Sequence, residues 1–108
     1  MKLRLTLLTA ATLTAFSFAA QAAEKGTIMI MVNSLDNPYY ASEAKGASEK
    51  AKELGYQTTI LSHGEDVKKQ SELIDTAIGK KVQGIILDNA DSTASVAAIE
   101  KAKKAGIP

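Results

Sequence analysis

Six side chains in this sequence have the chemistry to grip an uncharged, hydroxyl-rich molecule: Asn33, Asn37, Tyr39, Tyr40, Asp88 and Asn89. Each asparagine carries both donors and an acceptor, and Asp88 supplies acceptors. The tyrosines add flat apolar faces with polar tips. Amides and carboxylates for hydroxyls, with rings against C–H faces, are what a polyhydroxylated ligand requires. A buried hydroxyl left unpaired costs about 1–3 kcal/mol, so such a site selects by matching every one. Each residue also has a second use. Asn37 precedes Pro38 and reads equally as a helix cap. Tyr39 and Tyr40 serve as well as walls of a core, although neighbours on one chain point in different directions and only one could be fully buried. Asn33 and Asn89 can satisfy loop backbone, and Asp88 can cap a helix.

Other chemistries lack their residues. There is no cysteine, so neither a disulfide framework nor a thiolate metal site is available. A single histidine cannot build a two-His zinc motif. No G-x-G-x-x-G, P-loop lysine motif or G-x-S-x-G occurs, so nucleotide cofactors and a hydrolase nucleophile are unsupported. No cofactor, metal or catalytic residue is expected. His63 stands alone in a Gly-flanked loop and reads as exposed and structural. The pairs Lys68-Lys69, Lys80-Lys81 and Lys103-Lys104 read as solvated helix faces or ends. With 13 Lys+Arg against 12 Asp+Glu, the charge is too balanced for a nucleic-acid partner.

The elements that would position the six follow from pattern. Thr27 to Val32 is apolar without alternation, as in a strand covered on both faces. Asn33 to Pro38 is turn chemistry. Ala41, Ala44, Ala47, Ala51 and Leu54 then recur at helical spacing, and Gly55 ends the helix. Tyr56 to Leu61 reads as a second strand. Asp66 is a cap, and Val67, Gln70, Ile74, Ala77 and Ile78 mark a helix fading near Gly79. Gly84 to Leu87 is a third buried strand. Ala94, Ala97, Ala98, Ala102 and Ala105 mark a third helix, closed by Gly106. The βαβαβα order predicts an α/β fold, a three-layer parallel sheet with right-handed crossovers. Pro108 falls where the next strand would start. In such sheets ligands bind outside the carboxyl ends of the strands, which is where all six residues lie.

Met1 to Ala22 reads as a cleaved signal peptide, leaving 23–108 as the folded part. Lys2 and Arg4 precede an apolar stretch, and Ala20-Gln21-Ala22 supplies the small-x-small cleavage pattern. Thr6, Thr9, Thr12, Thr14 and Ser17 interrupt the stretch, which suits a signal better than a membrane anchor.

The segment Thr27-Ile28 through Asn33-Ser34-Leu35-Asp36-Asn37-Pro38-Tyr39-Tyr40 resembles the first strand and loop of ribose-type periplasmic sugar-binding proteins, the receptors of ABC importers. Gly46, Leu54-Gly55-Tyr56, Val82 to Leu87 followed by Asn89, and Ala105-Gly106-Ile107-Pro108 also match that pattern. The resemblance implies an incomplete N-terminal lobe of a two-lobed protein, its second lobe absent. It also implies a monosaccharide or polyol held in an interlobe cleft, a membrane permease as partner, and a monomer when full length. It carries sugar contacts onto Asn33, Asn37, Tyr39, Tyr40 and Asn89. Two tyrosines where Phe-Phe is frequent, Asn33 where ribose binders have Ser, and Asp88 before Asn89 point away from ribose itself. Two other functions share these features: a sensor presenting a sugar or an autoinducer-2-type ligand to a receptor, and an exported α/β enzyme drawing on Asp36, His63 or Asp88. Sugar-responsive regulators of the LacI type share the fold but begin with a DNA-binding helix-turn-helix where this chain has an export signal.

Overall fold

The computed structural model describes residues 25–108, so the expected signal peptide at 1–22 lies outside the described residues. The elements run β1 (Thr27–Val32), α1 (Pro38–Glu53), β2 (Gln57–Ser62), α2 (Val67–Gly79), β3 (Gly84–Leu87) and α3 (Ser95–Lys104). This is the predicted alternation, with β2 displaced one residue from Tyr56–Leu61. Both predicted caps form: Asn37 Oδ1 accepts from the Tyr39 N–H at 3.0 Å, and Asp66 Oδ1 from the Lys68 N–H at 2.8 Å. The chain leaves α1 through Gly55 at φ +96°, a conformation that costs glycine little. It leaves α2 through Lys81 at φ +53°, two residues after the glycine that fades the sequence pattern.

The sheet is parallel throughout, in the order β2-β1-β3. Met31 sits opposite Leu61 on one side and Leu87 on the other. Because β1 is central and covered twice, its side chains are apolar at every position from Ile28 to Val32. Met29 and Met31 join Ile74, Ala77, Ala98 and Ala102 under α2 and α3. Ile30 and Val32 pack with Ala44 under α1. Burying a side chain of this size contributes about 1.5–3 kcal/mol. The sequence spacing misplaces the buried face of α3: it is Ser95, Ala98 and Ala102, while Ala94, Ala97 and Ala105 are exposed. Alanine suits either environment and carries little facing information.

The strand order creates the site. From β1 the chain steps outward to β2, then crosses back over β1 to β3. Right-handed crossovers in opposite directions put α1 on one face and α2 on the other. The loops after β1 and β3 therefore lead to opposite faces of the sheet, which is where such folds are expected to hold a ligand, in a crevice at the carboxyl ends of the strands. On the far side of β3, the Ile85 N–H donates to the Pro108 carbonyl at 2.9 Å. Pro108 thus lies within hydrogen-bonding reach of β3.

Candidate functional site

The ladder bonds continue past the strand ends. The Asp88 N–H donates to the Met31 carbonyl at 2.9 Å, and the His63 N–H to the Val32 carbonyl at 3.1 Å. The chain leaving β1 at Asn33 is thereby flanked by the ends of both neighbouring strands. Asn33 is half-buried. Asn37 is exposed and uses its Oδ1 as the α1 cap, so its amide N–H groups remain for a ligand. Cap and contact are compatible, one for each end of the amide.

The tyrosines divide. Tyr39 is 70% exposed. Tyr40 is half-buried and packs against the Ile30, Val32 and Ala44 cluster. Their rings meet edge to face, centroids 5.1 Å apart at 87°. Tyr40 braces Tyr39, whose ring stands free at the N-terminal turn of α1.

Alternation along β3 places Asp88. Ile85 and Leu87 pack toward α2 and α3, so the Asp88 side chain turns to the α1 face. There it meets Glu43, from the second turn of α1. Asp88 Oδ2 is buried and accepts no hydrogen bond within the described residues. Hydrogen bonding to Asp88, then desolvation, then the Asp88 charge hold the Glu43 carboxyl above its ordinary range. Two carboxyls side by side present several acceptor oxygens, which suits a ligand that donates from its hydroxyls.

The Glu43 shift has a stability consequence. The native chain holds a proton that the unfolded chain has released, so stability falls as pH rises from the unfolded to the raised folded pKa. Glu43→Gln should therefore unfold at higher temperature than the parent near neutral pH. The difference should close as pH falls below the ordinary carboxylate range. Thermal melts across that range check this; an advantage independent of pH would contradict it. Asp91 runs the opposite way. The Ala94 and Thr93 N–H groups lower its pKa, so the stability it contributes is lost as pH falls through that lowered value.

Asn89 stands apart from the α1-side group. It is exposed and borders a groove of about 670 Å³ between β3 and α3, with Ile74, Leu87, Ser95 and Ile99. A second hollow of about 440 Å³ lies against the other face of β3 by Ile28, Ala51 and Ile86. Both are apolar and run to Pro108 at the β3 edge, and neither is lined by Asn33, Asn37, Tyr39, Tyr40 or Asp88.

His63 is the clearest departure from the sequence reading. It is 0% exposed, not a solvent-facing loop residue. Its Nδ1 accepts from the Glu65 N–H at 3.1 Å, which leaves the proton on Nε2 to be donated to the Asp88 carbonyl at 2.6 Å. Gln70, also 0% exposed, donates to Ser95 Oγ at 2.8 Å and accepts from the Ala90 N–H at 2.7 Å. Neither role has a local signature, because the partners lie 25 and 20 residues away. Glu43 was equally silent; its one signal is its spacing of three and four residues from Tyr40 and Tyr39. Among the described residues no cluster of His, Cys, Asp and Glu is suited to a metal ion.

Comparison with known proteins gives a consistent picture. Residues 28–108 match the family described as periplasmic binding protein domain. The D-apiose import binding protein of Actinobacillus succinogenes is 50% identical over 101 residues, covering 91% of this chain and 33% of that protein. The ribose import binding protein of Escherichia coli is 34% identical over 110 residues, covering 100% of this chain and 36% of its own length. An ABC transporter periplasmic solute binding protein from Actinobacillus succinogenes, solved with bound D-allose, superposes with a TM-score of 0.71 at 34% identity. That superposition covers 78% of this chain and 30% of the other. The chain thus spans about a third of the length of the curated relatives it matches.

Proposed function

The chain belongs to the periplasmic binding protein domain family, and from that premise we propose that it forms part of an exported sugar receptor, binding a monosaccharide or polyol and delivering it to an ABC permease. The observation that carries this reading is the rim itself. Asn33, Asn37 and the free ring of Tyr39 follow β1, and Asp88 beside Glu43 follows β3, so these groups all stand past the carboxyl ends of two neighbouring strands. Those groups match hydroxyls and C–H faces and leave no charge for an anionic ligand to pair with. The relatives named for D-apiose and ribose support a pentose as the first ligand class to test. A second lobe would close over the sugar, and the loss of water would strengthen each hydrogen bond. The protein then works in the periplasm as a monomer and without a cofactor. The signal peptide at 1–22 is part of the same proposal.

The adjacent Asp88 and Glu43 carboxyls also favour one competing reading, an exported enzyme using them for acid–base work. Calorimetric titration of the full-length gene product with D-apiose, D-ribose, hexoses and linear polyols separates the two. Saturable binding of at least one sugar, with that sugar recovered unchanged after prolonged incubation, is expected. Turnover of any sugar, or no binding across the panel, overturns the receptor reading.

A further inference from the structure

Two buried polar side chains of the second strand-helix unit grip the backbone of the third loop on either side of Asn89. His63 donates from Nε2 to the Asp88 carbonyl at 2.6 Å. Gln70 accepts from the Ala90 N–H at 2.7 Å. Both are 0% exposed, and both are held from behind. The Glu65 N–H fixes the His63 tautomer through Nδ1 at 3.1 Å. Ser95 Oγ takes the Gln70 amide at 2.8 Å and also accepts from the Asp91 N–H at 3.2 Å. Each of the four polar atoms has a partner, so the orientation of neither side chain is free. The loop they hold is the one that turns Asp88 toward Glu43 and Asn89 toward the groove beside α3.

We propose that His63 and Gln70 are positioning residues for sugar binding: they touch no ligand, and they fix the Asp88-Asn89-Ala90 backbone so that the side chains on it meet the ligand already oriented. The proposal rests on the receptor reading above. Its physical basis is preorganisation, since ordering a loop at the moment of binding subtracts from affinity, whereas ordering it beforehand does not. The price in the free protein is two desolvated polar groups, acceptable because their hydrogen bonds are complete.

The test uses the full-length gene product with D-apiose and D-ribose as probes. His63→Phe and Gln70→Met keep volume and remove the hydrogen bonds. Each should weaken binding about tenfold, one lost preorganising contact apiece, with one sugar still bound per molecule and measured well below the unfolding temperature. His63→Gln, which can still donate to Asp88 and accept from Glu65, should recover most of the loss. A role in stability alone would lower the melting temperature, leave the affinity of the folded molecules unchanged and give no such rescue; that result overturns the proposal. Amide hydrogen exchange supplies a readout without sugar. The Ala90 N–H should be protected in the parent and exchange faster in Gln70→Met, while α2 stays protected. An Ala90 amide that exchanges freely in the parent overturns the clamp. A protected Ala90 in a parent that binds no sugar overturns the receptor reading, and the positioning role with it.

Discussion

Asp88→Ala should weaken sugar binding by about ten- to a hundredfold without lowering the stability of the free protein. A hydrogen bond to a charged group contributes about 1.5–3 kcal/mol, and each 1.4 kcal/mol is a factor of ten in affinity. Asp88 is the strongest acceptor proposed for the rim, and its Oδ2 is buried without a donor from the described residues. Ordinarily, deleting a half-buried carboxylate would cost stability as well. Here Glu43 faces it, and hydrogen bonding to Asp88, desolvation and the Asp88 charge all raise the Glu43 carboxyl, so near neutral pH, where the pair disfavours an ionised Glu43, easing that penalty offsets the lost contact. The two effects separate cleanly in calorimetric titration and thermal unfolding of the same variant. A large fall in stability with little change in affinity would assign Asp88 to structure instead.

Ile74→Ala should reduce stability by about 2–5 kcal/mol. Ile74 is 1% exposed and joins α2 to Met29, Met31 and the α3 alanines in one cluster. Alanine there opens a cavity that Ala77, Ala98 and Ala102 cannot fill, since none can extend into it. The position also lies one helical turn below Gln70, so loosening α2 reaches the clamp on the third loop. Chemical denaturation checks the magnitude. A loss below about 1 kcal/mol would mean that α2 is not anchored through this residue, because deletions of this size in a packed core cost more.

The fold was legible where its physics is local. A six-residue apolar strand, caps at Asn37 and Asp66, and helical recurrence of Ile74 and Ala77 depend on neighbours within one or two turns, and all appear as read. The candidates for the rim could be named for the same reason, because side-chain type and position after a strand are both written in the chain. What escaped depends on pairs distant in sequence. A histidine between a serine and a glycine looks solvated until Asp88, 25 residues on, brings a carbonyl to its Nε2. Gln70 read as one more member of a helical stripe until the third loop folded over it. Glu43 gains meaning only because β3 lies beside β1 and alternation turns Asp88 toward α1. The alanines of α3 could not report their own facing, so the buried serine at 95 went unnoticed.

The central claim is that the crevice between β1 and β3 holds a hydroxyl-bearing ligand by the side chains at its rim. A crystal structure of the full-length gene product with the sugar that binds most tightly in titration tests it most directly. The account predicts hydroxyls within hydrogen-bonding distance of Asp88 and of Asn33 or Asn37, with the Tyr39 ring against a C–H face. A sugar seated elsewhere, with the Asp88 carboxyl and the Tyr39 ring both untouched, would contradict it.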